Sequence, residues 1–113
     1  MGKLVRDYIP SIILDKSVKG TKVNTKILNG DDFKNALRDK LQEEVTEYLE
    51  SKTAEEEIEE LADVLEVVLT LASIRGVSPD TLNRARELKR KLKGSFNSRI
   101  YLESVEKPSE EDK

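Results

Sequence analysis

The 113-residue chain has no cysteine, no histidine and no tryptophan, and aromatic residues make up only 4% of it. Without Cys there is no disulfide framework, no thiolate metal site and no cysteine nucleophile. Without His the usual general base is missing, as are every Ser-His-Asp arrangement and all imidazole metal ligands. Any chemistry must run on carboxylates, Lys, Arg, hydroxyls or a bound metal. A core with so few rings must be filled by Leu, Ile and Val, which suits helices packed on helices. No apolar run approaches the roughly 20 residues of a membrane span, and no secretory h-region follows Met1. A cytoplasmic protein that avoids membranes is the expectation.

What is present is charge. Charged residues are 38% of the chain and hydrophobic residues 36%, with a net charge of −3. The distribution is uneven: eleven acids and one base lie between Glu43 and Glu66, whereas seven bases and one acid lie between Arg84 and Arg99. A 12.8 kDa chain should fold to roughly 6,300 Å² of surface, enough to enclose one modest core. Residues 1–105 are therefore expected to form one domain. Residues 106–113, polar and without periodic apolar positions, are expected to be a disordered tail.

Periodicity gives the architecture. Ile9 to Leu14 suits a short helix with Pro10 in its first turn. Lys22 to Leu28 and Arg99 to Glu103 alternate loosely and read as short extended segments, free to pair within one chain or between two. Asp31 is placed as an N-cap of a helix over about 32–50, whose stripe is Phe33, Leu37, Leu41, Val45 and Tyr48. Thr53 and Glu56 have capping-box spacing, opening a second long helix to about Arg75, with Gly76 as its stop. Ser78 and Pro79 open a third, ending near Lys93 and Gly94. The short joint makes the two long helices an antiparallel hairpin.

The second long helix is apolar on two sides: Ile58, Leu61, Leu65, Val68 and Ala72 form one stripe, and Val64, Val67, Leu71 and Ile74 form another roughly 100° away. One chain has too few helices to enclose it. The fold class is thus all-α, a hairpin plus a third helix completing a four-helix-type bundle on dimerisation or higher assembly.

The informative acids are those on faces meant for packing. Glu44 falls inside the apolar span of its helix, with Glu47 beside it. Glu60 continues the Val64–Val67–Leu71 stripe, with Asp63 at its edge. Glu44 and Glu60 stand eight residues either side of Lys52, so the hairpin brings them to one height. Four carboxylates crowded there repel and cost several kcal/mol each to desolvate unless compensated. Divalent metal is the economical compensation, and all-oxygen ligands favour Mg²⁺ or Mn²⁺. Glu43 is placed at the metal or as the base. Lys3, Arg6, Arg86, Lys89, Lys93 and Arg99 are candidate phosphate-binding groups beside such a centre.

Lys40-Leu-Gln-Glu-Glu-Val-Thr-Glu47 followed by Glu60-Leu-Ala-Asp63 resembles the EExxE…ExxD signature of the MazG-like all-α nucleoside triphosphate pyrophosphohydrolases. The flanks Lys3-Leu-Val-Arg-Asp7, Ile9-Pro10, Lys93-Gly-Ser-Phe96 and Arg99-Ile-Tyr-Leu102 resemble a small single-domain subgroup similar to phosphoribosyl-ATP pyrophosphohydrolase. The resemblance implies an Mg²⁺-dependent enzyme, assembled from at least two chains, that cleaves a nucleotide between its α and β phosphates to monophosphate and pyrophosphate. It implies Glu44, Glu47, Glu60 and Asp63 as metal ligands, with Glu43 beside them. Phosphoribosyl-ATP members usually carry a His shortly after the motif's Asp, where this chain reads Val64-Leu-Glu-Val67, and that departure favours house-cleaning of ordinary or damaged nucleotides over a step of histidine biosynthesis. Two rivals remain. A non-catalytic dimerisation module suits the two-sided helix but not the carboxylates on its packed faces. A nucleic-acid binder built on Arg84 to Arg99 is disfavoured by its single aromatic, Phe96, and by the acidic pole.

Overall fold

The computed structural model describes residues 2–109. Four helices follow in order, α1 (Ile9–Lys16), α2 (Gly30–Leu49), α3 (Ala54–Ile74) and α4 (Pro79–Lys93), and no strand occurs among the described residues. The chain falls into two compact units, Met1–Leu82 and Asn83–Lys113. The last four residues of the expected tail, 110–113, lie outside the described residues.

In the first unit, local chemistry sets the helix ends. Pro10 sits in the first turn of α1, where its missing N–H removes no helical bond. The N-cap of α2 is Asn29, whose side chain accepts from the Asp32 N–H at 3.3 Å, not Asp31 as the sequence suggested. Asn caps as well as Asp, and this register leaves Asp31 and Asp32 in the first turn, where the helix dipole favours negative charge. At α3, the Thr53 hydroxyl accepts from the Glu56 N–H at 3.1 Å. The Glu56 carboxylate returns to the Lys52 N–H, at 3.0 Å, one residue upstream of the usual reciprocal bond.

Gly76, at φ +75°, ends α3 as expected. Its N–H donates to Ser73 at 2.9 Å and that of Val77 to Ala72 at 3.0 Å, the bond pair of a Schellman motif, which needs the left-handed residue that glycine supplies cheaply.

The four-residue joint 50–53 turns α3 back along α2, and the two pack on each other. Leu37 of α2 and Val67 of α3 are buried between them, with Val64, Leu71, Phe33, Leu41 and Tyr48 half-buried alongside. Val45 lies at the edge of its stripe and is exposed. The two stripes of α3 fare differently. The Val64–Val67–Leu71 side is packed, whereas Ile58, Leu61 and Leu65 remain 67%, 45% and 56% exposed.

The second unit contains the rest of α4 and an irregular stretch after Gly94. The two expected extended segments, 22–28 and 99–103, form no strand ladder. Arg99 adopts a left-handed φ of 58°, its N–H donating to Phe96 at 3.0 Å, and this turn breaks the alternation. No helix among the described residues is long and apolar enough to cross a membrane.

Candidate metal centre

Glu44 and Glu47 come from the second half of α2, and Glu60 from the second turn of α3. The hairpin brings one carboxylate oxygen of each within 4.8 Å of the others. Glu44 is buried at 7% exposure, because it replaces an apolar residue on the face that carries Leu37 two turns earlier. Glu60 is half-buried and Glu47 exposed, so the cluster opens from the helix seam toward solvent.

Its electrostatics are unfavourable as they stand. Glu44 Oε2 and Glu60 Oε2 are buried and accept no hydrogen bond, and a carboxylate oxygen cut off from water without a partner is destabilising. Burial, the hydrogen bond and charge of Glu47 and the charge of Asp63 push the Glu44 carboxyl up to about 7, with only Lys40 opposing. Glu60 is raised as well, by desolvation, then by Glu47, Asp63 and Glu59. A hard divalent cation would satisfy both orphaned oxygens and offset the crowded charge; the donor set, three carboxylates without nitrogen or sulfur, fits Mg²⁺, Mn²⁺ or Ca²⁺.

The remaining candidates are placed as follows. Asp63 does not join the three glutamates: it accepts from the Arg6 guanidinium. Glu43 is held by Lys40 Nζ at 3.2 Å and Lys3 Nζ at 3.6 Å, and its carboxyl falls below the usual range through the Lys40 hydrogen bond and both positive charges. Lys3 and Arg6 thus reach the acidic site from the segment before α1. That segment, α2 and α3 together enclose a cleft of about 340 Å³, lined by Leu4, Val5 and Phe33 and reached by Arg6, Lys40 and Glu44. In the second unit, Arg86 donates through Nε and Nη2 to Asn83 Oδ1 at 3.0 and 2.7 Å, while Lys89, Lys93 and Arg99 are exposed.

Sequence reasoning missed Lys40. Its side chain is 16% exposed, and its ammonium bridges Glu43 to Glu44, the latter at 3.6 Å. The signal was present, since a Lys three and four residues before a glutamate pair lies over both on a helix.

A family model described as phosphoribosyl-ATP pyrophosphohydrolase matches residues 5–91, a span that contains α1, α2 and α3, the three converging glutamates and the Arg6–Asp63 pair. No curated protein and no solved structure gives a significant match. The matched span is well over half of the chain and carries every carboxylate of the cluster: the chain belongs to the phosphoribosyl-ATP pyrophosphohydrolase family, enzymes that cleave a phosphoric anhydride.

Proposed function

We propose that the chain hydrolyses a nucleoside triphosphate between its α and β phosphates, releasing monophosphate and pyrophosphate, with Mg²⁺ held by Glu44, Glu47 and Glu60 and completed by Asp63. The observation that carries the reading is the pair of buried, unpartnered carboxylate oxygens inside a three-glutamate cluster. A purely structural seam gains nothing from them. The cation, when bound, supplies Lewis-acid polarisation of the phosphate oxygens.

The protein's own residues do the rest. Lys3, Arg6 and Lys40 place three cationic groups at one cleft, suited to neutralising and orienting a polyphosphate in line for attack. The attacking water gives its proton to a carboxylate of the cluster. Glu43, lowered by two ammonium groups, is the weaker base and serves better to hold Lys3 and Lys40 toward the phosphates.

The family match favours a second substrate, phosphoribosyl-ATP, which presents the same α–β anhydride. Pyrophosphate and phosphate release, measured separately with Mg²⁺ over ordinary and damaged triphosphates and phosphoribosyl-ATP, test both readings. Pyrophosphate from one substrate class identifies it. Orthophosphate alone, or no turnover of any substrate, overturns the α–β assignment.

A second copy of the chain is proposed to cover the Ile58–Leu61–Leu65 face. Those three side chains stay 67%, 45% and 56% exposed along one side of α3, an apolar strip that a lone chain leaves in water. Packing this face against its symmetry mate supplies the helices that one hairpin lacks.

A further inference from the structure

Of the four acids expected to converge, three do and one does not. Asp63 lies one turn beyond Glu60 on α3, close enough for its charge to be felt by both Glu44 and Glu60. Instead of leaving that oxygen to the cluster, the chain brings Arg6 across 57 residues of sequence to pair with it. Arg6 belongs to a segment that makes no helix or strand; its own carbonyl accepts one backbone bond, from the Ile9 N–H at 3.1 Å. The same segment carries Lys3, paired with Glu43. Both pairs are solvent-accessible, with the Arg6 and Asp63 side chains 56% and 36% exposed, so separating them buries no orphaned charge.

We propose that Arg6 is a built-in counter-ion that competes with the divalent cation for Asp63, so that metal entry passes Asp63 from the N-terminal segment to the glutamate cluster and frees the guanidinium for the polyphosphate. The guanidinium already holds Asp63 Oδ1, and its positive charge opposes a second cation at the same carboxylate. With the metal absent, Arg6 keeps Asp63 from adding a further charge to a cluster already short of compensation. Once the cation supplies that compensation, the forked donors of Arg6 stand at the mouth of the cleft and match phosphate oxygens. Arg6 is thus a positioning residue for Asp63 before it is a substrate contact. The inference rests on the proposed metal reading.

The test is Mg²⁺ affinity without nucleotide, measured by calorimetry on the full chain, for wild type, Arg6→Gln, Asp63→Asn and the double variant. An exposed pair of this kind sets the scale: Arg6→Gln should tighten Mg²⁺ binding about two- to fivefold. Asp63→Asn should weaken it, and adding Arg6→Gln to Asp63→Asn should then change nothing. Unchanged or weaker binding by Arg6→Gln overturns the exchange. So does an equal tightening in the Asp63→Asn background, which would mean that Arg6 acts only as a remote charge. Failure of wild type to bind Mg²⁺ at millimolar concentration instead overturns the metal reading, and the exchange with it. Arg6 is exposed, so folding is not at stake, and melting curves of all four proteins verify it.

Discussion

Glu44→Gln is expected to stabilise the metal-free protein, and only at neutral or higher pH. A lysine ammonium lies 3.6 Å from this carboxylate, which on its own would make loss of the charge harmful. Burial and two neighbouring carboxylates outweigh it, raising the group from 4.5 to about 7. The folded state therefore holds this proton more tightly than the unfolded state does. Wild-type stability is full below about pH 4.5 and is lost as pH rises toward 7. At 1.36 kcal/mol per pKa unit the ceiling is about 3 kcal/mol. Water entering past the exposed Glu47 screens the site, and about 1–2 kcal/mol is the working expectation.

For a chain of this length, 1 kcal/mol corresponds to roughly 4 °C in Tm. Melting curves in EDTA should thus show Glu44→Gln about 4–8 °C above wild type at pH 8, and the two within error near pH 4.5. Residual pH dependence in the variant comes from Glu60, which shifts in the same direction. If the cluster holds Mg²⁺ as proposed, millimolar Mg²⁺ should reverse the order, raising wild type by mass action and the variant far less. A Glu44→Gln protein that melts below wild type at pH 8 in EDTA would mean that Lys40–Glu44 is a net stabilising ion pair, and the reasoning from crowded, orphaned carboxylates would fail.

Glu60→Gln should abolish turnover while leaving the metal-free protein no less stable; activity retained together with a lower Tm in EDTA refutes the site. Light scattering should give a dimer or larger, and Leu61→Ser with Leu65→Ser should shift it toward monomer, each apolar side chain contributing about 1.5–3 kcal/mol if fully buried; a wild-type monomer at micromolar concentration refutes the covered face. Charge removal at Lys3, which lines the cleft, should raise KM for the triphosphate, and wild-type KM and kcat in that variant return it to the role of a solvated cation.

The helices were legible because each rests on short-range chemistry. Thr53 with Glu56, Gly76 and Ser78 with Pro79 mark boundaries by bonds made within five residues, and the structure places the ends of α3 and the start of α4 within two residues of them. The start of α2 was missed because Asn29, Asp31 and Asp32 all cap well, and the sequence does not say which register wins. Segments 22–28 and 99–103 stay outside the helices, as expected, but pair with no strand among the described residues. β-branched alternation only says that a segment fits a pleated, half-buried surface, and without a partner strand Ile27, Ile100 and Tyr101 stay largely exposed.

The cluster itself divides along the same line. Glu44, Glu47 and Glu60 meet because a short hairpin joint and a 1.5 Å rise convert sequence spacing into height. Asp63 has the right spacing too, yet its partner is set by Arg6, 57 residues away. No periodicity links a segment outside the helices to a helix face, so that pairing had to come from the tertiary structure. The same holds for the basic groups: Lys40 was implicit in i, i+3 and i+4 spacing, whereas Lys3 at Glu43 was not. What the acids on a packed face disclose is a charge problem. The Arg6 guanidinium answers it at Asp63 and Lys40 at Glu44, which leaves Glu60 Oε2 buried without a partner.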